Sequence, residues 1–377
     1  MLTKKDDSLT ASFEVSAVWF GALLGPSLVA GAYIAVYFAP YGALGLLLPF
    51  IAFFPICILT VMGADIVRRN AAYNYADFGR TIYGRFHKYL MPFLDYFIMM
   101  AMIIGGSAVA NVEGMLLNAV LGVPEVVGAS IFGIITVIVA MFGSGFLRRF
   151  SSIVTVLLFV AFLLVSLIFI TYSPLSLGEI IEAGIPAGAS VTNGIFRAIL
   201  LGFSNMGCVC GTLCAVEQKI KTPKQAVFVG VFSFVLNSSI FLLSCIMILP
   251  YCPDALNSAT PTVYIIANYM GKYFPWLYAA YNWVMFFALL SSDAPQLFAV
   301  SSRIIAMFDK KGRLANVSEK KKIAVIGLIY EALCVLISTL GLTAIISKGY
   351  TFNGWMGLLL VAIPIIIKTA QYHKQKS

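Results

Sequence analysis

Ten stretches of this chain are apolar over about 20 residues, the length of helix that crosses a bilayer. They are 12–38, 42–66, 90–120, 125–146, 150–172, 194–217, 225–249, 275–307, 322–346 and 351–369. In hydrocarbon every backbone N–H and C=O must be bonded within the protein, so the expected fold is all-α and integral to the membrane, with ten transmembrane helices. Charged residues make up 11% of the chain and its mean hydropathy is +0.94, against about 25% charged in a soluble domain. The first stretch is longer than the roughly 7–15 residues of a signal-peptide core, and only the short polar segment 1–11 precedes it. It therefore reads as an uncleaved span.

The net charge of +9 could suggest a nucleic-acid partner, but its distribution says otherwise. With ten spans both termini share a side. Placing them in the cytoplasm puts 22 of the 25 basic residues there, leaving only Arg197, Lys272 and Lys348 outside. That bias fixes the expected orientation in a cell membrane, and the basic balance reports topology and contact with anionic lipid. The seven cysteines lie almost all in apolar spans, where they act as small hydrophobes. Only Cys252 reads as loop-placed, so no disulfide framework is implied.

Helix-breaking residues recur at matching places in two halves. Gly25-Pro26-Ser27, closed by Gly31, interrupts the first span; the run from Gly202 to Gly207, closed by Gly211, interrupts the sixth. Five spans per half give the halves opposite orientation: a single transporter domain with a first repeat at 12–172 and an inverted second repeat at 194–369. The linker 173–193 has no Lys or Arg and reads as external; 250–272, with Pro250, Pro253 and Pro261, reads as a second external loop. Paired broken helices in inverted repeats point to the binding site of a secondary transporter.

These residues resemble a known group. Gly21-Ala22-Leu23-Leu24-Gly25-Pro26-Ser27 is similar to the break in helix 1 of the amino acid–polyamine–organocation transporters, which share the leucine-transporter fold of five plus five inverted helices. Tyr41-Gly42-Ala43-Leu44-Gly45 with Pro49 resembles their helix 1–2 turn. Leu201-Gly202-Phe203 and the later Glu217 and Lys221-Thr222-Pro223-Lys224 resemble their helix 6, and Phe286-Phe287-Ala288 with Ser291-Ser292 resembles helix 8 of sodium-coupled members. Within the superfamily the chain looks most like the YkvI-like amino-acid permeases. The resemblance implies cation-coupled symport of an amino acid or related small amine-carboxylate, without an enzymatic step. It departs from the neurotransmitter-type branch in lacking the Asn and Thr of a first sodium site and the tyrosine of helix 3. One sodium ion or a proton therefore fits better than two sodium ions.

Gly25, Pro26 and Ser27 free backbone donors suited to a carboxylate, the alternative being a kink that only shapes packing. Ser204 and Asn205 offer polar contacts at the second break, and the resemblance places Phe203 over the substrate; an ordinary core position is the other reading. Gly106, in Gly105-Gly106-Ser107, makes room for a substrate side chain or for a neighbouring helix. The resemblance implies a sodium ion, the one group to be bound besides substrate, held by carbonyls of Ala22, Gly25 and Ala288 and hydroxyls of Ser291 and Ser292. Pro295 also strips the Ser291 carbonyl of its helical donor. Intramembrane carboxyls are functional candidates by default. Asp293 could add charge to the sodium site or carry a proton, and Glu113, nearer the outside, could gate or carry a proton; a structural hydrogen bond is the bland alternative. Asn111 and Glu331 are weaker candidates, and Asp65, Asp95 and Glu217 sit near solvated ends. Cys208, Cys210 and Cys214 lack a His or carboxylate neighbour for a metal and read as packing.

An enzyme is disfavoured. The two histidines, His87 and His373, lie at span edges, and there is no HExxH, phosphate loop or dinucleotide fingerprint. The rival is a ligand-sensing membrane subunit of the same fold, as in spore-germinant receptors, since fold does not fix function.

Overall fold

The computed structural model describes residues 6–23, 25–73, 75–207, 219–308 and 317–374. Within its helices, the side chains of 6–8, 18, 19, 21–23, 26, 27, 144, 148, 306–308 and 373 lie outside the described set. Helix is the only regular structure among the described residues. In chain order the α-helices are α1 (Asp6–Leu23), α2 (Pro26–Val29), α3 (Ala32–Tyr37), α4 (Leu48–Asn70), α5 (Tyr75–Tyr83), α6 (His87–Leu121), α7 (Glu125–Ala140), α8 (Ser144–Thr171) and α9 (Leu177–Ala183). They continue as α10 (Val191–Ser204), α11 (Pro223–Ile248), α12 (Pro261–Ile265), α13 (Pro275–Phe308), α14 (Glu319–Ser338), α15 (Leu342–Ala344), α16 (Thr351–Gly357) and α17 (Ile363–Lys374). Three π-helical stretches, Ile266–Met270, Ile345–Tyr350 and Leu358–Ala362, join neighbouring helices.

Local signals set the boundaries. Pro49 opens α4, while Arg68 and Arg69 in its last turn complement the helix dipole. Thr222 caps α11 in a reciprocal box with Gln225, and Pro223 occupies its first position. Six stretches are long and apolar enough to cross a membrane: Leu48–Asn70, Tyr75–Leu121, Gly145–Thr171, Pro223–Tyr251, Pro275–Ile305 and Leu342–Tyr372. Glu125–Ala140 and Val191–Ser204 are shorter apolar helices. The outward side of α8 is apolar, with Ile153, Leu157, Leu164 and Leu167 exposed, as a lipid-facing helix requires.

One expected boundary moves. The sequence pattern ends the ninth span at 346 and starts the tenth at 351, across the turn-like Lys348-Gly349-Tyr350. The turn lies instead at 339–341, where Gly341 takes φ 85°. Lys348 sits inside the tenth helical rod, in the first of its two π stretches.

The helices pack as two groups. In one, α11 lies against α4 and α1, and α10 against α4 and α16; in the other, α6, α7, α13 and α14 pack on one another, with α8 alongside α13. The second group has its own core, including Ala110, Ala129, Val137, Leu297, Tyr330 and Cys334. On the Lys- and Arg-rich side, α5 fastens to this group: the Arg303 guanidinium pairs with Asp95 and covers the Tyr75 ring at 4.8 Å. The Tyr75 hydroxyl donates to the same carboxylate at 2.9 Å, so Asp95 is a structural tie rather than a merely solvated charge.

Candidate functional site

The first span breaks twice. Between α1 and α2 the helix is interrupted around Gly25, whose carbonyl accepts from the amides of Leu28 (3.1 Å) and Val29 (3.3 Å). It breaks again at Ala30-Gly31, where Gly31 has φ 82° and a Cβ would lie 2.7 Å from the Thr262 hydroxyl. That position admits only glycine. The carbonyls freed by the second break are both satisfied: the Tyr281 hydroxyl donates to Val29 at 2.6 Å and the Thr262 amide to Ala30 at 3.1 Å. Farther out, the Tyr37 hydroxyl donates to the Ile346 carbonyl at 2.9 Å. Thus α12 and α13 hold the end of α2 and the break, and the tenth rod holds the end of α3. Ala22, Pro26 and Ser27 have helical backbone, and their side chains lie outside the described set.

The sixth span is interrupted within the expected run Gly202–Gly207, with helix again at Met206 and Gly207. α10 ends at Ser204, with Asn205 in a turn. The Ser204 hydroxyl and the Asn205 amide nitrogen both donate to the Leu201 carbonyl, at 2.7 and 2.9 Å. The two polar side chains at this break thus close the helix end on which they sit. Phe203 is half-buried against the core, and its carbonyl would lie 2.1 Å from a Cβ at Gly357 in α16. The later part of this span, with Gly211, Cys208, Cys210, Cys214 and Glu217, lies outside the described residues.

Helix α13 separates its candidates by face. Ala288 packs with Val154 and Leu158 of α8, and the Ser291 hydroxyl donates to its carbonyl at 2.9 Å. The Ser291 carbonyl, deprived of a donor by Pro295, accepts from the Ser151 hydroxyl of α8 at 2.9 Å. It is therefore satisfied, contrary to the expectation that it stands free for an ion. Ser292 accepts from the Gln296 amide at 3.3 Å. This all-oxygen set suits a hard cation, though the carbonyls of Gly25 and Ala288 already accept protein donors. Asp293 follows Ser291 by two residues, about 200° round the helix, and faces Glu331 of α14 rather than α8.

Glu113, Asp293 and Glu331 meet where α6, α13 and α14 pack. Their relative exposures are 0%, 1% and 5%. Asp293 and Glu331 hydrogen-bond to each other, and Glu113 interacts with Asp293. Glu113 is fully buried among these helices, and the adjacent Gly114 packs on the Glu125 carbonyl at the start of α7. Glu331, ranked low from sequence, belongs to the cluster. Its sequence signal was only that it is a carboxyl within a span. Gly106 abuts α14: a Cβ there would lie 2.4 Å from the Tyr330 hydroxyl and 2.8 Å from the Cys334 sulfur. Of its two readings, room for a neighbouring helix is the one this contact supports. Asn111 donates to the Ser338 carbonyl at 2.9 Å, another α6–α14 tie.

No family model matches the chain, and none of the curated proteins matches it. Solved structures do. The chain aligns with the inward-facing conformation of Mhp1 at TM-score 0.61 and 14% identity, covering 97% of this chain and 91% of that one. Mhp1, described as a nucleobase-cation-symport-1 family transporter, also aligns in a closed conformation at TM-score 0.58 and 13% identity, over 87% and 73% of the two chains. A Na+-coupled sialic acid symporter aligns at TM-score 0.51 and 13% identity, over 97% of each chain. A manganese transporter of Eremococcus coleocola aligns at TM-score 0.51 and 14% identity, over 98% and 88%. At these identities the likeness shows the fold: an all-α, leucine-transporter-like architecture.

Proposed function

We propose that this chain is a secondary active transporter that moves an amino acid or related amine-carboxylate by alternating access, coupled to a cation. The observation that carries the proposal is the pair of interruptions, around Gly25 in the first span and at Asn205 in the sixth. Irregular backbone at membrane depth persists only where protein or a cavity satisfies it, and such breaks in two repeats mark the substrate site of this kind of transporter. The substrate carboxylate would meet the backbone freed between α1 and α2, and its amine the carbonyls around both breaks. Phe203, Ser204 and Asn205 would line the second wall. Binding would release Ser204 and Asn205 from the Leu201 carbonyl, a local change that could signal occupancy to α10. If sodium is the coupling ion, the oxygens near Ala22, Gly25, Ala288, Ser291 and Ser292 would hold it between the first and eighth spans. Rocking of one helix group against the other would then alternate access. The proposed setting is a cell membrane with both termini in the cytoplasm, and the two-repeat division at 173–193 is part of the same proposal.

Thermal stability of the purified protein against a panel of amino acids and amines, each in sodium and in choline, tests the reading. Stabilisation by an amino acid, lost in Asn205→Ala, is expected. Stabilisation by none would contradict the substrate class.

A further inference from the structure

Besides the two breaks, the structure holds a buried carboxyl cluster whose arrangement calls for a ligand of its own. Both Glu113 oxygens, and one oxygen each of Asp293 and Glu331, have no hydrogen-bond partner, although all are sealed from solvent. An ionised carboxylate only accepts hydrogen bonds, so two facing carboxyls can bond to each other only by sharing a proton. Leaving all three ionised would set like charges together in a low-dielectric interior, where desolvation alone costs several kcal/mol per ion.

Nothing else on the packed elements supplies that charge. α7 carries one titratable residue, Glu125, exposed at its end. α14 contributes Tyr330 and Cys334, and the Tyr330 hydroxyl is already donated to the Met102 carbonyl at 2.8 Å. α6, α13 and α14 place their Lys, Arg and His residues at the basic end. Arg303 is ten residues from Asp293, about 15 Å along the helix, and engages Asp95. Gly133 of α7 leaves the space Glu331 fills: a Cβ there would lie 3.1 Å from its Oε2.

We propose that Glu331 and Glu113 form a proton-binding site inside the membrane, with Asp293 as the acceptor for the proton on Glu331. The ligand is the proton itself, one on the Asp293–Glu331 pair and a second on Glu113. Its role as coupling ion rests on the transport reading above; its binding does not. The three carboxyls come from three helices of one group, so a shift of α13 or α14 that parts the pair would expose the proton to release.

Infrared spectroscopy of the purified protein in detergent tests the site directly. At neutral pH the wild type should show a protonated-carboxyl C=O stretch. Its intensity should fall in Glu331→Gln and, independently, in Glu113→Gln, and stay unchanged in the exposed-site control Glu179→Gln. Absence of the band from the wild type, or a band as strong as the wild type's in either variant, would overturn the proposal. So would loss of the band on adding sodium or manganese, which would make the cluster a metal site. In proteoliposomes, Glu331→Gln should keep substrate exchange and lose accumulation driven by a pH gradient. A protein that shows the band but accumulates nothing under any ion gradient would overturn the transport reading, not the proton site.

Discussion

Asp293 and Glu331, 38 residues apart on neighbouring helices, hydrogen-bond to each other inside the membrane-embedded part of the protein. Residues that share one proton do not contribute independently to stability. In a double-mutant cycle, Asp293→Asn and Glu331→Gln should depart from additivity by about 0.5–3 kcal/mol. Additive effects in denaturation of the purified protein would show that the two do not act as a pair.

The Ser151 hydroxyl replaces the donor that Pro295 denies to the Ser291 carbonyl. Ser151→Ala should leave a buried acceptor unpaired and cost about 1–3 kcal/mol of stability. Pro295→Ala restores a backbone N–H, so in that background the same substitution should cost much less. Equal cost in both backgrounds, read from thermal melts, would contradict the assignment.

How much of this was legible beforehand depended on range. Apolar length and the glycine–proline interruptions are local, so the helical fold and the stop at Asn205 could be read directly. The end of the ninth span could not: Lys348-Gly349-Tyr350 looks like a turn, but a π stretch absorbs it, and the real turn uses Gly341. Opposite faces for Ser291 and Asp293 follow from helical geometry alone. That Ser151 reaches Ser291 across 140 residues, or that Glu331 joins Asp293 and Glu113, is decided by packing that one sequence does not encode legibly.

Two tyrosines reach carbonyls in the π stretches of the tenth rod, Tyr37 to Ile346 at 2.9 Å and Tyr83 to Leu360 at 2.7 Å. π stretches disturb the helical ladder and often accompany functional movement. Tyr37→Phe should speed amide exchange around 345–350, and Tyr83→Phe around 358–362, each without the other. Uniform change along the rod, measured by hydrogen–deuterium exchange mass spectrometry, would argue against two separate fastenings.

Gly42 has φ 55° and ψ −128°, and a Cβ there would lie 2.5 Å from the Gly184 carbonyl. Ala43 donates its amide to that same carbonyl at 3.0 Å, so the turn after the first span docks on the linker at this point. Gly42→Ala should destabilise the protein by about 1–3 kcal/mol, lowering its melting temperature. An unchanged melting temperature would show that the linker contact can be relaxed without loss.

The most direct measurement of the central claim is accumulation of a labelled amino acid by proteoliposomes containing the purified protein, under an imposed sodium or proton gradient. Uptake above the external concentration, collapsed by the matching ionophore, is the expected result. Binding without accumulation under either gradient would contradict transport and identify a ligand-sensing subunit of the same fold.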